Sequence, residues 1–318
     1  MTRTPSTPGG LDGGRPAAAP EPPPVTERGL AFRDLVYPLP TRSIAVGGAE
    51  IAYCDEGEGP LALVLVHGLG SYLPAWAHNV PALAARHRVV ALDLPGYGKS
   101  SKKGHAYSMA FFADVVEGLV AALGLGRFVL VGHSMGGQIA LTHALARPGR
   151  AEALVLSAPA GLEPFAPAEG RWLAAAVSEQ VVAGTPPEAV YSNLALNFAG
   201  PRPEGRFMAD DRVRVIGGPD FADYARAISC SVGAMVEGAV FARLGEVSVP
   251  TLVTFGEHDA LIPNRALHPG AGSTRQVAEA GTRLLPKGRL VMIEGAGHMP
   301  HFERPAIWNA ATLAFLDA

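Results

Sequence analysis

Residues 131–137 read VGHSMGG, with Gly132 two positions before Ser134 and Gly136 two positions after it. The apolar, β-branched run "RFVLVGHS" (127–134) leads in, and the helix-forming run "GGQIALTHALARPGR" (136–150) leads out, a helix expected to last until Pro148. A strand that turns this sharply into a helix crowds its own backbone, so a Cβ at either flanking position would collide and small residues are required. Such strain holds the Ser134 hydroxyl clear of the sheet edge, at the positive end of the following helix. Gly137 is expected to let that helix pack closely on the sheet. A serine in a glycine-rich turn can also merely cap a helix, and the five-residue pattern alone does not separate the two readings.

The surrounding chain supplies the context. "LALVLVHG" (61–68), "HRVVALDLPG" (87–96) and "AEALVLSAPAG" (151–161) are continuous apolar runs, the composition of strands covered on both faces in a parallel sheet. "RSIAVGGAEIAYCDEG" (42–57) splits at Gly47-Gly48 into two short strands and predicts an antiparallel hairpin at the start. Residues 108–124 predict a helix with Phe111, Val115, Leu119 and Leu123 on one face, ended by Gly124. After 246 the alternation resumes with "PTLVTFGEHD" and "RLVMIEGAGH" and closes in the helical "IWNAATLAFL". Between 163 and 245 strands are missing, and Leu173, Val177 and Val181, then Val190, Leu194 and Phe198, then Phe221, Ala225, Ile228 and Val232 recur at helical spacing.

The expected fold is therefore α/β, a doubly wound, mostly parallel sheet with an inserted helical cap. The organisation read from this is a Pro/Gly/Ala-rich tail over 1–27, core over 28–162, cap over 163–245 and core again over 246–318.

Of the 318 residues 48% are hydrophobic and 17% charged, with a net charge of -3, a composition suited to a compact core. No basic excess is available to neutralise a phosphate backbone, so a nucleic-acid partner is not expected. The first residues lack an apolar h-region and no apolar run approaches a membrane span, which predicts a cytoplasmic protein acting on a small molecule. Cys54 and Cys230 are read as small buried hydrophobes rather than a disulfide. "GYGKSS" fails as a phosphate loop because its first glycine position, 93, is Asp, and "GLGSYL" lacks the third glycine of a dinucleotide fingerprint, so no cofactor is implied.

A serine alcohol is a weak nucleophile that needs a base, and the base needs an orienting carboxylate. Asp259 ends the strand "TLVTFGEHD" and His298 follows the strand "RLVMIEGAGH", both at carboxyl ends of strands, where open α/β sheets place their sites. Glu257 and Asp93 are rival acids. A metal reading would combine His298, His301 and Glu303, but Pro300 and the glycine-rich approach oppose the helical geometry it needs, and the HEXXH order is absent.

The sequence resembles the α/β-hydrolase family through "HGLG" (67–70), "DLPGYGKSS" (93–101), "GHSMGG" (132–137), "GEHDALIP" (256–263) and "GAGHMPHFERP" (295–305), in the family's order. The resemblance covers 45–318 apart from the cap. It implies Ser134 as nucleophile, Asp259 as orienting acid and His298 as general base, with an oxyanion hole formed by the backbone N–H groups of Leu69 and Met135. It also places the acid at the last position of "GEHD", ahead of Glu257; Asp93 is read as bracing its own turn, His67 as shaping the oxyanion loop, and His133 and His258 as polar neighbours. Serine at 134 disfavours the carboxylate-dependent dehalogenase and epoxide hydrolase chemistries of the same fold.

Trp172, Tyr191, Phe198, Phe221, Tyr224, Met235 and Phe241 are candidates to line a pocket above Ser134, and Arg171, Arg202, Arg206 and Arg226 are candidates to bind a substrate carboxylate. Packing within the cap and a solvated face are the respective alternatives. Residues 264–276 look like a lengthened connection that adds a wall. The leading expectation is cofactor-independent hydrolysis of small, largely apolar esters or lactones. The alternatives are carbon-carbon bond hydrolysis of the meta-cleavage product type, and a small-ligand receptor with a residual triad.

Overall fold

A computed structural model describes residues 25–164, 167–265, 270 and 272–318. Most of the expected tail, and 266–269 and 271 of the lengthened connection, lie outside the described residues. The chain opens with strands β1 (Arg42–Val46) and β2 (Ala49–Glu56), joined through Gly47 and Gly48 at φ +56° and +82°, as a tight hairpin demands. There follow β3 (Ala62–Val66), α1 (Val80–Ala84), β4 (Arg88–Leu92), α2 (Met109–Ala122), β5 (Phe128–His133), α3 (Met135–Ala146) and β6 (Ala153–Ser157). The insertion comprises α4 (Pro167–Ala176), α5 (Glu179–Ala183), α6 (Pro187–Ala195), α7 (Phe207–Val215) and α8 (Phe221–Glu237). The chain then returns as β7 (Thr251–Gly256), α9 (Thr274–Leu284), β8 (Gly288–Ile293), α10 (Pro300–Glu303) and α11 (Pro305–Leu316).

These strands form one eight-stranded sheet in the order β1-β2-β4-β3-β5-β6-β7-β8. The β1–β2 and β2–β4 pairings are antiparallel and the rest parallel. Alternation along each central strand feeds two cores. Val64, Val66, Leu130, Leu154 and Leu156 face α2 and α3, where Phe112, Val116 and Ile139 meet them. Leu63, Leu65, Val129, Val131 and Val155 face the other side, against Trp76, Leu83 and Trp308. Each fully buried Leu or Val side chain contributes roughly 1.5–3 kcal/mol, so a continuous apolar run on both faces is what a central strand requires. The edge strand β8 departs from that expectation and is only partly covered.

Two helical readings need correction. In α2 the buried set is Met109, Phe112, Ala113, Val115, Val116, Leu119 and Val120, while Phe111 and Leu123 are only half-buried. The helix packs on α3 and α8 as well as the sheet, which widens and rotates its buried face, and Leu123 lies at its C-cap. In the insertion, Leu173, Val177 and Val181 do not share one helix. Ser178 interrupts by accepting a hydrogen bond from Val181 N at 3.4 Å, starting α5 afresh and leaving Val181 exposed. The α8 stripe of Phe221, Ala225, Ile228 and Val232 is buried as expected. α3 ends at Ala146, because Arg147 precedes Pro148 and adopts φ -136°, ψ 70°. Cys54 is buried, its thiol pushed up to about 11 by burial, but Cys230 is exposed.

Residues 25–36 run over the insertion rather than the sheet. Gly29 N donates to Ile216 O and Leu30 N to Arg214 O, both at 3.0 Å, and Val25 N donates to Tyr191 Oη at 3.1 Å. The Phe32 ring lies 4.8 Å from Tyr224 and beneath Lys102 Nζ at 4.4 Å. Lys102 is itself buried, donating to Gly98 O and Ser100 O at 2.7 and 3.0 Å and pairing with Asp220 at 3.5 Å. Among the described residues no helix is long and apolar enough to cross a membrane. Phe32→Ala, which removes a ring shared by arm, cap and β4 loop, is expected to cost about 3–5 kcal/mol, measured by urea unfolding.

Candidate active site

The turn between β5 and α3 has the anticipated strain. Ser134 sits at φ +51°, ψ -116°, a region a non-glycine residue adopts only when its surroundings force it. A Cβ on Gly132 would strike the Gly136 carbonyl, one on Gly136 the Val66 carbonyl, and one on Gly137 the Pro159 ring. The Ser134 peptide is tied down on both sides: its N–H donates to Ser157 O at 3.0 Å and its carbonyl accepts from Gly137 N and Ala160 N at 2.9 and 3.0 Å. The Ser134 side chain makes no capping hydrogen bond to α3, so capping does not account for the serine.

The "HGLG" loop lies against this turn. A Cβ on Gly68 would come within 3.0 Å of Ser134 Cβ, so the backbone at Gly68 passes close to the serine. His67 fixes the loop. Its Nε2 accepts from Leu94 N at 3.0 Å, which leaves Nδ1 to donate to Gly68 O at 2.8 Å. Among the described residues no acceptor in the chain takes the Leu69 or Met135 N–H.

Asp259 and His298 meet as the spacing suggested. His298 Nδ1 lies 2.8 Å from Asp259 Oδ2, and Asp259 Oδ1 accepts from Leu261 N and Ile262 N at 2.8 and 3.0 Å. A carboxylate that only accepts takes its hydrogen bond from Nδ1–H, which in the neutral tautomer places the ring lone pair on Nε2. The rival acids are occupied elsewhere. Glu257 pairs with Arg275 on the surface. Asp93 is buried and accepts from Leu73 N, Lys99 N and Tyr37 Oη at 2.6, 2.8 and 2.8 Å, bracing its own turn and the segment after the "HGLG" loop. Its carboxyl is raised by burial, with those hydrogen bonds pulling the other way.

Three further histidines surround the centre. His133 Nε2 lies 2.9 Å from His298 O, and His301 Nδ1 lies 3.1 Å from Ser157 Oγ. Burial holds His67 down to about 4 and His301 to about 3, and pushes His133 well below its usual range. Glu303, named in the metal reading, is engaged by the chain: its Oε1 accepts from Gly297 N at 2.6 Å and its Oε2 accepts from Ala199 N and Arg202 Nη2 at 2.9 and 3.2 Å. Among the described residues no three His, Cys, Asp or Glu side chains are grouped to hold a metal ion.

A cavity of about 750 Å³ opens over Ser134 and His298, and Leu69 contributes to its wall. Its cap side is aliphatic, with Leu173, Val177, Val190, Leu194, Ile228 and Val232. Of the seven candidates named from the sequence only Met235 and Phe241 line it. Trp172 is exposed, Tyr191 bonds Asp210, Phe198 packs on Phe302, and Phe221 and Tyr224 stack on one another. None of the four candidate arginines lines it either. Arg171 and Arg226 are exposed, and Arg202 and Arg206 pair with carboxylates.

Two charged groups that sequence reasoning missed do reach the cavity. Arg212 lies over the Tyr224 ring at 4.0 Å, with Nη1 sealed from solvent and without a hydrogen-bond partner among the described residues, and burial pulls its guanidinium down to about 9. Within "DDRVRV" it reads as one charge on a solvated helix face, and no pattern distinguishes it. Glu163, on the loop after β6, accepts a long 3.4 Å bond from Asn264 N, and burial raises its carboxyl to about 7. Asn264 and Arg265 line the wall, as expected of the lengthened connection.

A sequence profile described as alpha/beta hydrolase fold matches residues 62–305, and the chain belongs to that family. It is 34% identical to a dihydrolipoyllysine-residue acetyltransferase component of the acetoin cleaving system of Pseudomonas putida, over 88% of this chain and 70% of that protein. It is 28% identical to a 2-hydroxy-6-oxononadienedioate/2-hydroxy-6-oxononatrienedioate hydrolase of the same species, over 84% of this chain and 92% of that one. Among solved structures, a probable hydrolytic enzyme from Pseudomonas aeruginosa superimposes with a TM-score of 0.79 at 26% identity, covering 91% of this chain and 98% of that one.

The buried histidines give the fold a pH dependence of definite sign. Their folded-state values lie below the unfolded one, so between about 6.5 and 4 the unfolded chain takes up protons that the folded chain refuses. Stability is full above that window and lost as pH falls through it. The raised carboxyls of Asp93 and Glu163 act with the opposite sign over the same range, and the midpoint of thermal unfolding should still fall from pH 6.5 to 4; a midpoint that rises would show that these rings are not held neutral.

Proposed function

We propose that the protein is a cofactor-independent serine hydrolase that cleaves small, largely apolar carboxylic esters or lactones through an acyl-enzyme on Ser134. The observation that carries this reading is the convergence of Ser134 and His298 on one aliphatic cavity, with Asp259 fixing the imidazole tautomer. His298 Nε2 takes the hydroxyl proton as Oγ attacks the carbonyl carbon, and Asp259 stabilises the imidazolium that forms. The Leu69 and Met135 N–H groups receive the oxyanion, each such donor being worth about 3–4 kcal/mol in the transition state. The imidazolium then protonates the departing alkoxide, and water, deprotonated by the same nitrogen, releases the acid.

A second reading is favoured by Arg212. A buried guanidinium in the cavity wall, held over Tyr224 and with Nη1 lacking a hydrogen-bond partner among the described residues, suits a substrate that carries its own carboxylate. Dienedioates, in the name of the 28% identical relative, are such compounds. In that chemistry the bond next to the carbonyl is carbon-carbon, and the proton held by His298 passes to the leaving carbon.

Both readings are tested with a panel of p-nitrophenyl esters of increasing acyl length, on wild type and Ser134→Ala. Turnover by wild type that falls at least about 10³-fold in the variant is the expected result, and equal turnover by the two would falsify an acyl-enzyme on Ser134. Arg212→Met is expected to lower kcat/KM about 10- to 100-fold for esters with a terminal carboxylate, the worth of a hydrogen bond to a charged group, and to leave neutral esters of equal length within about twofold. Equal effects on both series would remove Arg212 from substrate recognition.

A further inference from the structure

Resting on the serine-hydrolase reading, we propose that Glu303 and the cap turn 197–202 form a positioning device for His298, so that seating the cap and aligning the base are one event. The His298 peptide is held at both ends by different parts of the fold. Its N–H donates to Asn197 O of the cap at 2.8 Å, and its carbonyl lies 2.9 Å from His133 Nε2 of the nucleophile turn. The residue before it, Gly297, is packed so closely on the cap that a Cβ would lie 2.8 Å from Asn197 O, from the Phe198 carbonyl carbon and from Ala199 N. Here glycine is required by close approach.

Glu303 joins the same two segments by its side chain. Its carboxylate is sealed from solvent, with one oxygen accepting from Gly297 N at 2.6 Å. The other accepts from Ala199 N at 2.9 Å and Arg202 Nη2 at 3.2 Å. Arg202 also reaches Glu204 at 3.3 Å, and Phe198 packs on Phe302 with ring centroids 6.0 Å apart. A buried charge with three donors is strongly directional. Movement of the turn at 197–202 therefore breaks charge-assisted bonds and pulls on the peptide of the base itself. Glu303 does not reach the cavity, so it acts through His298 and not on substrate.

This role has a signature that general destabilisation lacks. A p-nitrophenolate departs without a proton, whereas an alkoxide must receive one from the imidazolium, so a misplaced His298 harms alkyl esters more than nitrophenyl esters. A smaller folded fraction lowers both equally.

The experiment compares full-length wild type, Glu303→Gln and Arg202→Met on a p-nitrophenyl ester and an ethyl ester of the same acid, together with amide hydrogen exchange. For Glu303→Gln the expected result is a kcat loss about 10-fold greater on the ethyl ester, with faster exchange in both 294–299 and 196–202 and none in β5 or α11. Arg202→Met, which keeps the Gly297 and Ala199 bonds, should move both readouts in the same direction by less and serves if Glu303→Gln does not fold. Equal losses on the two esters, or faster exchange in only one of the two segments, would overturn the proposal. Wild type inactive on both esters, with exchange rising in both segments of the variant, would remove the serine-hydrolase reading and leave the coupling of cap and His298 standing.

Discussion

The architecture depends on the close approach of three peptide segments around one strained residue. Ser134 is held at a positive φ, costing on the order of 1–3 kcal/mol, and that conformation survives only where its neighbours over-determine it. The neighbours are the Val66 carbonyl at the end of β3, which leaves no space for a side chain on Gly136, and Ser157 O at the end of β6, which receives the Ser134 N–H. Parallel pairing of β3, β5 and β6 puts those ends level, so the sheet register and the serine geometry are one constraint. Two interdigitated cores, one on each face, then lock the register, because a slip by one residue would exchange the side chains that belong to each.

Electrostatics around that turn follow from burial. His67, His133 and His301 are kept uncharged by desolvation, so the rings beside His298 present no fixed cation to it. Each neutral ring does structural work through its nitrogens, as His67 does between Leu94 N and Gly68 O. Arg212 is the contrasting case. Burial pulls its guanidinium down to about 9, so it still carries its charge at neutral pH, and it lies against Tyr224 with Nη1 lacking a hydrogen-bond partner among the described residues.

What was legible in the sequence divides along physical lines. Strands buried on both faces announce themselves as apolar runs, and the glycines at 132, 136 and 137 are demanded by atoms a few positions away or on the next strand. The pairing of Asp259 with His298, and the engagement of Glu257 and Asp93 elsewhere, likewise agreed with motif and chain order. The insertion was legible as helical but its facing was not. Periodicity reports that Phe198 and Phe221 are covered, without saying whether a cavity or another helix covers them. The break at Ser178 turned Val181 outward through a cap that a periodic reading spans. Arg212 and Glu303 were hidden because their significance lies in partners: one has a guanidinium nitrogen with no hydrogen-bond partner among the described residues, and the other gathers two of its donors about 100 residues away in sequence.

The insertion leaves the sheet after β6 and rejoins it at β7, and these two strands are direct neighbours, Leu154 pairing with Thr251. Because the two strands are parallel, the excursion runs from Ser157 at the carboxyl end of β6 to Thr251 at the amino end of β7, and the sheet holds these ends roughly 11 Å apart whatever lies between them. Closing a loop on fixed ends costs entropy that grows only as the logarithm of its length, about 0.6 kcal/mol per doubling. Variation in the length of the segment that walls the cavity is therefore nearly neutral for the sheet beneath it. The requirement that does not relax is local: whatever replaces the turn at 197–202 must still present a carbonyl to the N–H of His298.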